Sequence, residues 1–323
     1  MTRLLRKQFL LFFVLLLVLS GCASRLPGQC PPECTDVFLR KRSLDRINLD
    51  NADLTGAVLV ETRLEQASLR NANLSGAILT NANLVRADLS GAVLVGANLS
   101  GANLAGAIVT NADFSGANLS GAILTRVDLT TANLTAVVLN NARMIGARLW
   151  GAQLPGAQLI DADLRGANLV GANLSGATLI RAQFQGADMR SINLRGADLS
   201  EASIWGANMI RAKLNEISAS DMYFSGSDLY KATIVGARLY SVDFSGSRLD
   251  RAQMTGVEFS NVTFGGTRLL GTNLDKSPLS TNTEPTDDSG SFIADLSGVR
   301  YDSHTKWPEG FTPPANAVQI NAN

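Results

Sequence analysis

Carboxylates such as Asp161 and Asp163, in the stretch DADLRG of this 323-residue chain, are close enough in sequence to raise general acid–base chemistry, though surface charge explains them adequately. Such a pair needs one acid held protonated beside another that stays ionised, which calls for a cleft that raises one pKa alone. His304 is the single histidine, and a serine or cysteine nucleophile would need it alongside as base. The cysteines, Cys22, Cys30 and Cys34, all lie far from it in sequence. A zinc site on Cys30 and Cys34 lacks the further ligands that tetrahedral coordination requires. No phosphate-binding loop and no dinucleotide fingerprint accompany the many glycines. The residues point away from an enzyme, and no metal or cofactor is expected.

The elements that must carry these groups follow a period of five. A large apolar residue, here called position i, falls at every number ending in 4 or 9 from Leu44 to Leu274, in 47 blocks without a slip. Thirty-three are Leu, and the others are Val109, Ile204, Ile234, Ala219, four Met and six Phe. Two residues earlier, at i−2, 32 of the 45 blocks from Ala52 to Thr272 carry Ala. A helix is excluded, because these positions sweep round a helical wheel and leave no stripe, and Gly and Asn oppose propagation. An apolar pair two apart fits one face of an extended side. Ser-Gly, Thr-Asn and Val-Gly dipeptides supply corners. Each block is then one short side and one corner.

Fixed-period similarity of this kind reads as a solenoid, whose stacked coils share a core that no single repeat could bury. Phe184, Phe224, Phe244 and Phe264 are spaced by multiples of twenty, as are Met189 and Met209, so four sides per coil would stack like on like. Ala at i−2 leaves room only for a narrow interior. In EISAS the large position shrinks to Ala219 while the small one grows to Ile217, which conserves volume as close packing demands. Met222 in the next small position implies local rearrangement of the bore. The phrases ADLSG, ANLSG and ADFSG resemble the pentapeptide-repeat family over residues 39–279. The resemblance implies an all-β, right-handed quadrilateral β-helix with i and i−2 inside. About 12 coils at about 4.8 Å each would make a rod about 55 Å long.

The N-terminus opens MTRLLRKQFLLFFVLLLVLSGCAS, basic residues before a short apolar run, as in a secretory signal and too short for a membrane span. Its LSGC resembles the bacterial lipobox, which implies cleavage before Cys22 and attachment of diacylglycerol and a fatty acid there. Acyl chains would hold the protein on a membrane, and Ala23 after the cysteine favours the outer membrane in a two-membrane bacterium. Residues 1–21 thus read as signal peptide and 22–38 as a lipidated tether. Cys30 and Cys34 in CPPEC are either a small disulfide loop, which an oxidising envelope permits, or two free thiols. Residues 280–291 read as a polar linker and 292–323 as a C-terminal cap and tail. Ala294 and Leu296 resume a repeat-like step out of frame. Tyr301, Trp307 and Phe311 would fold across the open end of the bore, and the final ANAVQINAN reads as loosely attached.

Over residues 39–279 there are 20 acidic and 22 basic side chains. Some members of the family imitate DNA as acidic rods that occupy a type II topoisomerase (gyrase), but a phosphate mimic needs a dominant negative field. Scattered basic residues, among them Arg143, Arg148, Arg238, Arg248 and Arg268, are balanced by acids, which argues against nucleic-acid binding. Outward Trp150, Trp205, Tyr223, Tyr230 and Tyr240 are the candidate partner surface, with Trp150 and Tyr230 on one edge if the coil is four-sided. The expected function is a membrane-anchored, periplasm-facing scaffold for an envelope protein, without catalysis; the alternative is the cytoplasmic topoisomerase mimic.

Overall fold

In the block from Ala72 every backbone amide has a partner. The Leu74 and Gly76 amides donate to Val93 and Val95 of the following coil at 2.7 and 2.9 Å, and the Asn73 amide donates to Ala52 of the preceding coil at 2.9 Å. The Ala72 amide closes a turn on Leu69 at 3.1 Å. The remaining amide, of Ser75, donates to the Asn73 side chain at 3.1 Å. A short side therefore gains its hydrogen bonds from the coils above and below, which is why one repeat is unstable alone. The second corner residue, at i+2, takes φ near +60°, as at Gly76 (64°) and Asn71 (54°). A type II turn requires that conformation and favours Gly or Asn there.

The computed structural model describes residues 37–279 and 294–320. Cys22, Cys30 and Cys34, the residues read as a signal peptide, and those read as a linker, with the chain as far as residue 293, lie outside the described residues. Two compact units divide the chain, one running to Ile123 and including Thr131–Asn133, the other comprising Leu124–Thr130 and the chain from Leu134 onward.

In the first unit parallel bridges join Phe38 to Val58, Val58 to Ile78, Ile78 to Asn98 and Asn98 to Asn118. In the second, the series Arg148, Asn168, Asp188, Asn208, Asp228, Arg248 and Arg268 is bridged in the same way. A step of twenty residues is four blocks of five, so each coil has four sides. From Leu49 on, positions i and i−2 are buried in both units, with exposures of 8% or less. A fully buried Leu contributes roughly 1.5–3 kcal/mol before conformational entropy is subtracted. At Thr62, Ser227, Thr267 and Thr272, all at i−2, the hydroxyl donates to the carbonyl of an i residue 23 positions back, as in Thr62 to Leu39 and Ser227 to Ile204, both 2.8 Å, whereas the buried Ser247 hydroxyl makes no such bond. Where it forms, the bond removes the penalty of burying an unpaired hydroxyl.

Like residues stack in the second unit. The rings of Phe224 and Phe244 lie 4.9 Å apart and those of Phe244 and Phe264 5.2 Å apart, all nearly parallel. Ile217, Ala219 and Met222 are all buried, and the side between them lengthens into β1 (Ser218–Ser220), paired parallel with β2 (Arg238–Tyr240) and then β3 (Glu258–Ser260).

Beyond the linker the coil resumes with a shifted register. β4 (Val262–Thr263) pairs with β5 (Ala294–Asp295), so Ala294 and Leu296 stand where i−2 and i are due, both buried. The tail differs from its expected looseness. β7 (Val318–Gln319) pairs parallel with β6 (Arg300–Tyr301), and the Val318 amide donates to Val299 at 2.7 Å. Among the described residues no further coil covers the edge of this last one, and the tail satisfies some of its amides and carbonyls.

Candidate functional site

With the interior filled by apolar side chains, any function lies on the outer positions i−1, i+1 and i+2. Asp161 and Asp163 are not an acid–base pair. Asp161 sits at a corner and accepts two hydrogen bonds from Arg181 at 2.7 and 2.8 Å, while Asp163 accepts two from Arg165 at 2.8 and 2.7 Å. These guanidinium bonds hold both carboxyls below the usual carboxylate range. Both are ionised at neutral pH, so neither can serve as the proton donor that such chemistry needs. His304 is exposed, with Nδ1 3.5 Å from Asp302. Among the described residues no three His, Cys, Asp or Glu side chains gather as metal ligands would, and no helix is long and apolar enough to cross a membrane.

The five outward aromatics fall into two sets. Ser203 is bridged to Tyr223, which places Trp205, two residues further along, diagonally beside Tyr223 on one side of the coil. Tyr240 stands at the corner next to that side, paired in register with Ser220. All three are more than half exposed. Trp150 and Tyr230 occupy a different edge. Amide-to-carbonyl bonds from Gly151 to Val170, Gly171 to Arg190, Ser191 to Ile210 and Arg211 to Tyr230 connect them through four coils. Tyr230 is half-buried, its ring 4.4 Å from the Arg248 guanidinium and 5.1 Å from Lys231 Nζ, contacts of cation–π type. At the C-terminal end, Trp307 lies 5.5 Å from Tyr301 and 5.3 Å from Phe311.

Two outer features escape a reading by period alone. The first is the role of Asp or Asn at i−1, whose side chain accepts the amide two residues on, as in Asp53 with Thr55 and Asn118 with Ser120. The recurring D/N before L was its visible signal, and the Asx turn is its chemistry. The second is the pairing of charges from coil to coil. Lys41 faces Glu61 at 3.3 Å, Arg181 lies between Asp161 and Glu201, and Arg238 faces Glu258 at 3.3 Å. Partners twenty residues apart are visible only once the coil length is known.

Pentapeptide repeats are matched in eight copies across residues 47–84, 82–121, 122–157, 157–196, 179–215, 192–229, 207–246 and 237–277. Among solved structures, the chain is similar to HetL, a pentapeptide repeat protein involved in heterocyst differentiation regulation from the cyanobacterium Nostoc sp. strain PCC 7120. That match has 26% identity over 82% of this chain and 89% of HetL, with a TM-score of 0.19. QnrB1, a plasmid-mediated fluoroquinolone resistance protein, matches at 17% identity over 84% of this chain and 92% of its own, with a TM-score of 0.21. A pentapeptide repeat protein of the Arabidopsis thaliana thylakoid lumen matches at 26% identity over 42% and 71%, with a TM-score of 0.14. No curated protein matches. Pentapeptide-repeat proteins fold as a right-handed quadrilateral β-helix. With that fold, and with repeats matched over most of its length, the chain belongs to the pentapeptide-repeat family.

Proposed function

We propose that the protein is a lipoprotein of the bacterial envelope, held by acyl chains on Cys22 and facing the periplasm, whose β-helix presents a binding surface to an envelope protein and performs no catalysis. The observation that carries the binding role is the cluster of Trp205, Tyr223 and Tyr240 on one side and its corner. Exposed aromatics grouped on a flat, rigid face are the composition of interface centres, which bury large rings at low entropic cost. Tyr301, Trp307 and Phe311 close the end of the bore in this reading, and Cys30 and Cys34 belong to the tether. The topoisomerase mimic is disfavoured by charge, because the acids it would display are largely paired with arginines, as at Asp161, Asp163, Asp188 and Asp250.

Metabolic labelling with a radioactive fatty acid, with Cys22→Ala as control, tests the anchor; label retained by the substituted chain rejects it. The binding face is tested by the size of the protein's complex on native gels of gently solubilised membranes. Trp205→Ala with Tyr223→Ala should shift it to the free chain, and an unchanged complex would refute the assigned face. Supercoiling by gyrase should be unaffected by the purified chain.

A further inference from the structure

Arg211, Lys231 and Arg251 stand one above another at the same corner of three successive coils. The Arg211 amide bonds to the Tyr230 carbonyl at 2.9 Å, that of Lys231 to Asp250 at 3.0 Å and that of Arg251 to Leu270 at 2.8 Å. Neighbouring corners are therefore about 4.8 Å apart, and all three side chains are exposed. Among the described residues none of the three has an acidic partner. Nearby acids are engaged elsewhere, Asp228 and Asp250 by Arg248 and Arg268 at 2.9–3.3 Å, and Glu216 by Arg195 at 2.9 Å.

This arrangement works against folding. Like charges in register on adjacent strands repel, and the three residues have φ of 57–60°, a conformation strained for any residue with a Cβ. Gly151, Gly171 and Gly271 fill the same corner of the same edge, so glycine suits the position. Three stacked cations there call for an anion outside the protein.

The residue just before each corner narrows its identity. Trp150, Val170, Ile210, Tyr230 and Leu270 form an apolar column interrupted by Arg190 and Asp250, and Trp150 is 60% exposed. A column of apolar and aromatic side chains beside a column of cations is the composition of protein surfaces at the membrane interface. A convex corner cannot enclose a small free anion, and a linear polyanion would leave the apolar column without a contact.

We infer that this edge rests on an anionic lipid surface, with Arg211, Lys231 and Arg251 against headgroup phosphates and Trp150, Ile210 and Tyr230 at the boundary with the acyl chains. The contact is separate from the lipid on Cys22 and from the protein-binding side at Trp205.

The test compares two full chains, both carrying Cys22→Ala so that neither can be lipidated, one of them also carrying Arg211→Gly, Lys231→Gly and Arg251→Gly. Whatever the N-terminal segment contributes is common to both, so the result stands whether or not Cys22 proves to be an anchor. Partitioning onto phosphatidylcholine vesicles with and without phosphatidylglycerol is measured by sedimentation. The chain with its cations should bind the anionic vesicles about a hundredfold more tightly than the glycine-substituted one, given the strength expected per basic residue near such a surface. Added salt should weaken that binding, while melting of the substituted chain should stay unchanged or rise. Quenching by brominated lipid should fall on Trp150→Phe. Equal partitioning of the two chains, or binding indifferent to phosphatidylglycerol, overturns the proposal. So does tighter binding to soluble polyphosphate than to the vesicles, which would make the occupant a linear polyanion.

Discussion

At one edge of the second unit Asp161, Arg181 and Glu201 alternate in charge from coil to coil, whereas two sides away Arg211, Lys231 and Arg251 repeat a single charge. The backbone beneath the two edges is the same. Each residue sits at i+2 with φ between 56° and 60°, and each column rises by one coil every twenty residues. In the first column a side chain finds its opposite above and below, so the ladder supports the stack. The second has no acidic partner within the described residues, its one internal contact being that of Lys231 with the Tyr230 ring, and its charges are available to something outside the protein. Identical scaffolding thus carries either a stabilising element or a binding one, depending only on the sign of the residue twenty positions away.

The largest expected effect comes from the interior that both edges share. Leu199→Ala beneath the first edge and Leu229→Ala beneath the second should each lower stability by roughly 2–5 kcal/mol, because both side chains are fully buried and leave cavities. Urea unfolding would measure this, and a large inequality would show that the edges do not rest on equivalent cores. Charge reversal should separate the edges by sign. Arg181→Glu places three acids in a row and should lower Tm, whereas Lys231→Glu creates alternation and should raise it. Tm shifts of the same sign would remove the contrast.

A smaller effect is expected from Lys231→Gly alone, which relieves αL strain at some cost in backbone entropy and should change stability by no more than about 1 kcal/mol. Loss of several times that amount would mean that Lys231 has a structural role. The smallest effect is on pH dependence. Hydrogen bonds from Arg181 hold the Asp161 carboxyl below its unfolded value, so this group stabilises the fold above about pH 4 and loses that contribution as pH falls through its folded pKa. Melting should be flat from neutral pH to about 5 and decline below about 4, and Arg181→Gln should blunt the decline. An Arg181→Gln chain with the same acid profile as the original would show that the pair does not set it.

Much of the fold was legible because the interior repeats. Leu at i and Ala at i−2 announce inside and outside, and Phe224, Phe244 and Phe264 announce the four-sided coil by stacking like on like. The compensation of Ala219 by Ile217 was legible too, since both remain buried. The outer surface was less so. The aromatics grouped as one candidate surface separate onto two edges, and Tyr230 lies partly beneath Arg248. The tail, read as loose, forms a strand on the last coil, because Val318 and Gln319 carry no pattern that reveals an open backbone edge waiting for them.

The amino-acid sequence by itself determined the five-residue period, the identity of the buried positions and the near-neutral charge, because burial selects residue type locally and leaves its mark on every block. Tertiary structure alone decided which outer side chains meet. Neighbours across coils are twenty residues apart in the chain, and their pairing depends on the uninterrupted register of the coil. For that reason the alternating ladder at Arg181, the like-charged column at Lys231 and the shifted pairing of Val262 with Ala294 became apparent only when the coils were stacked.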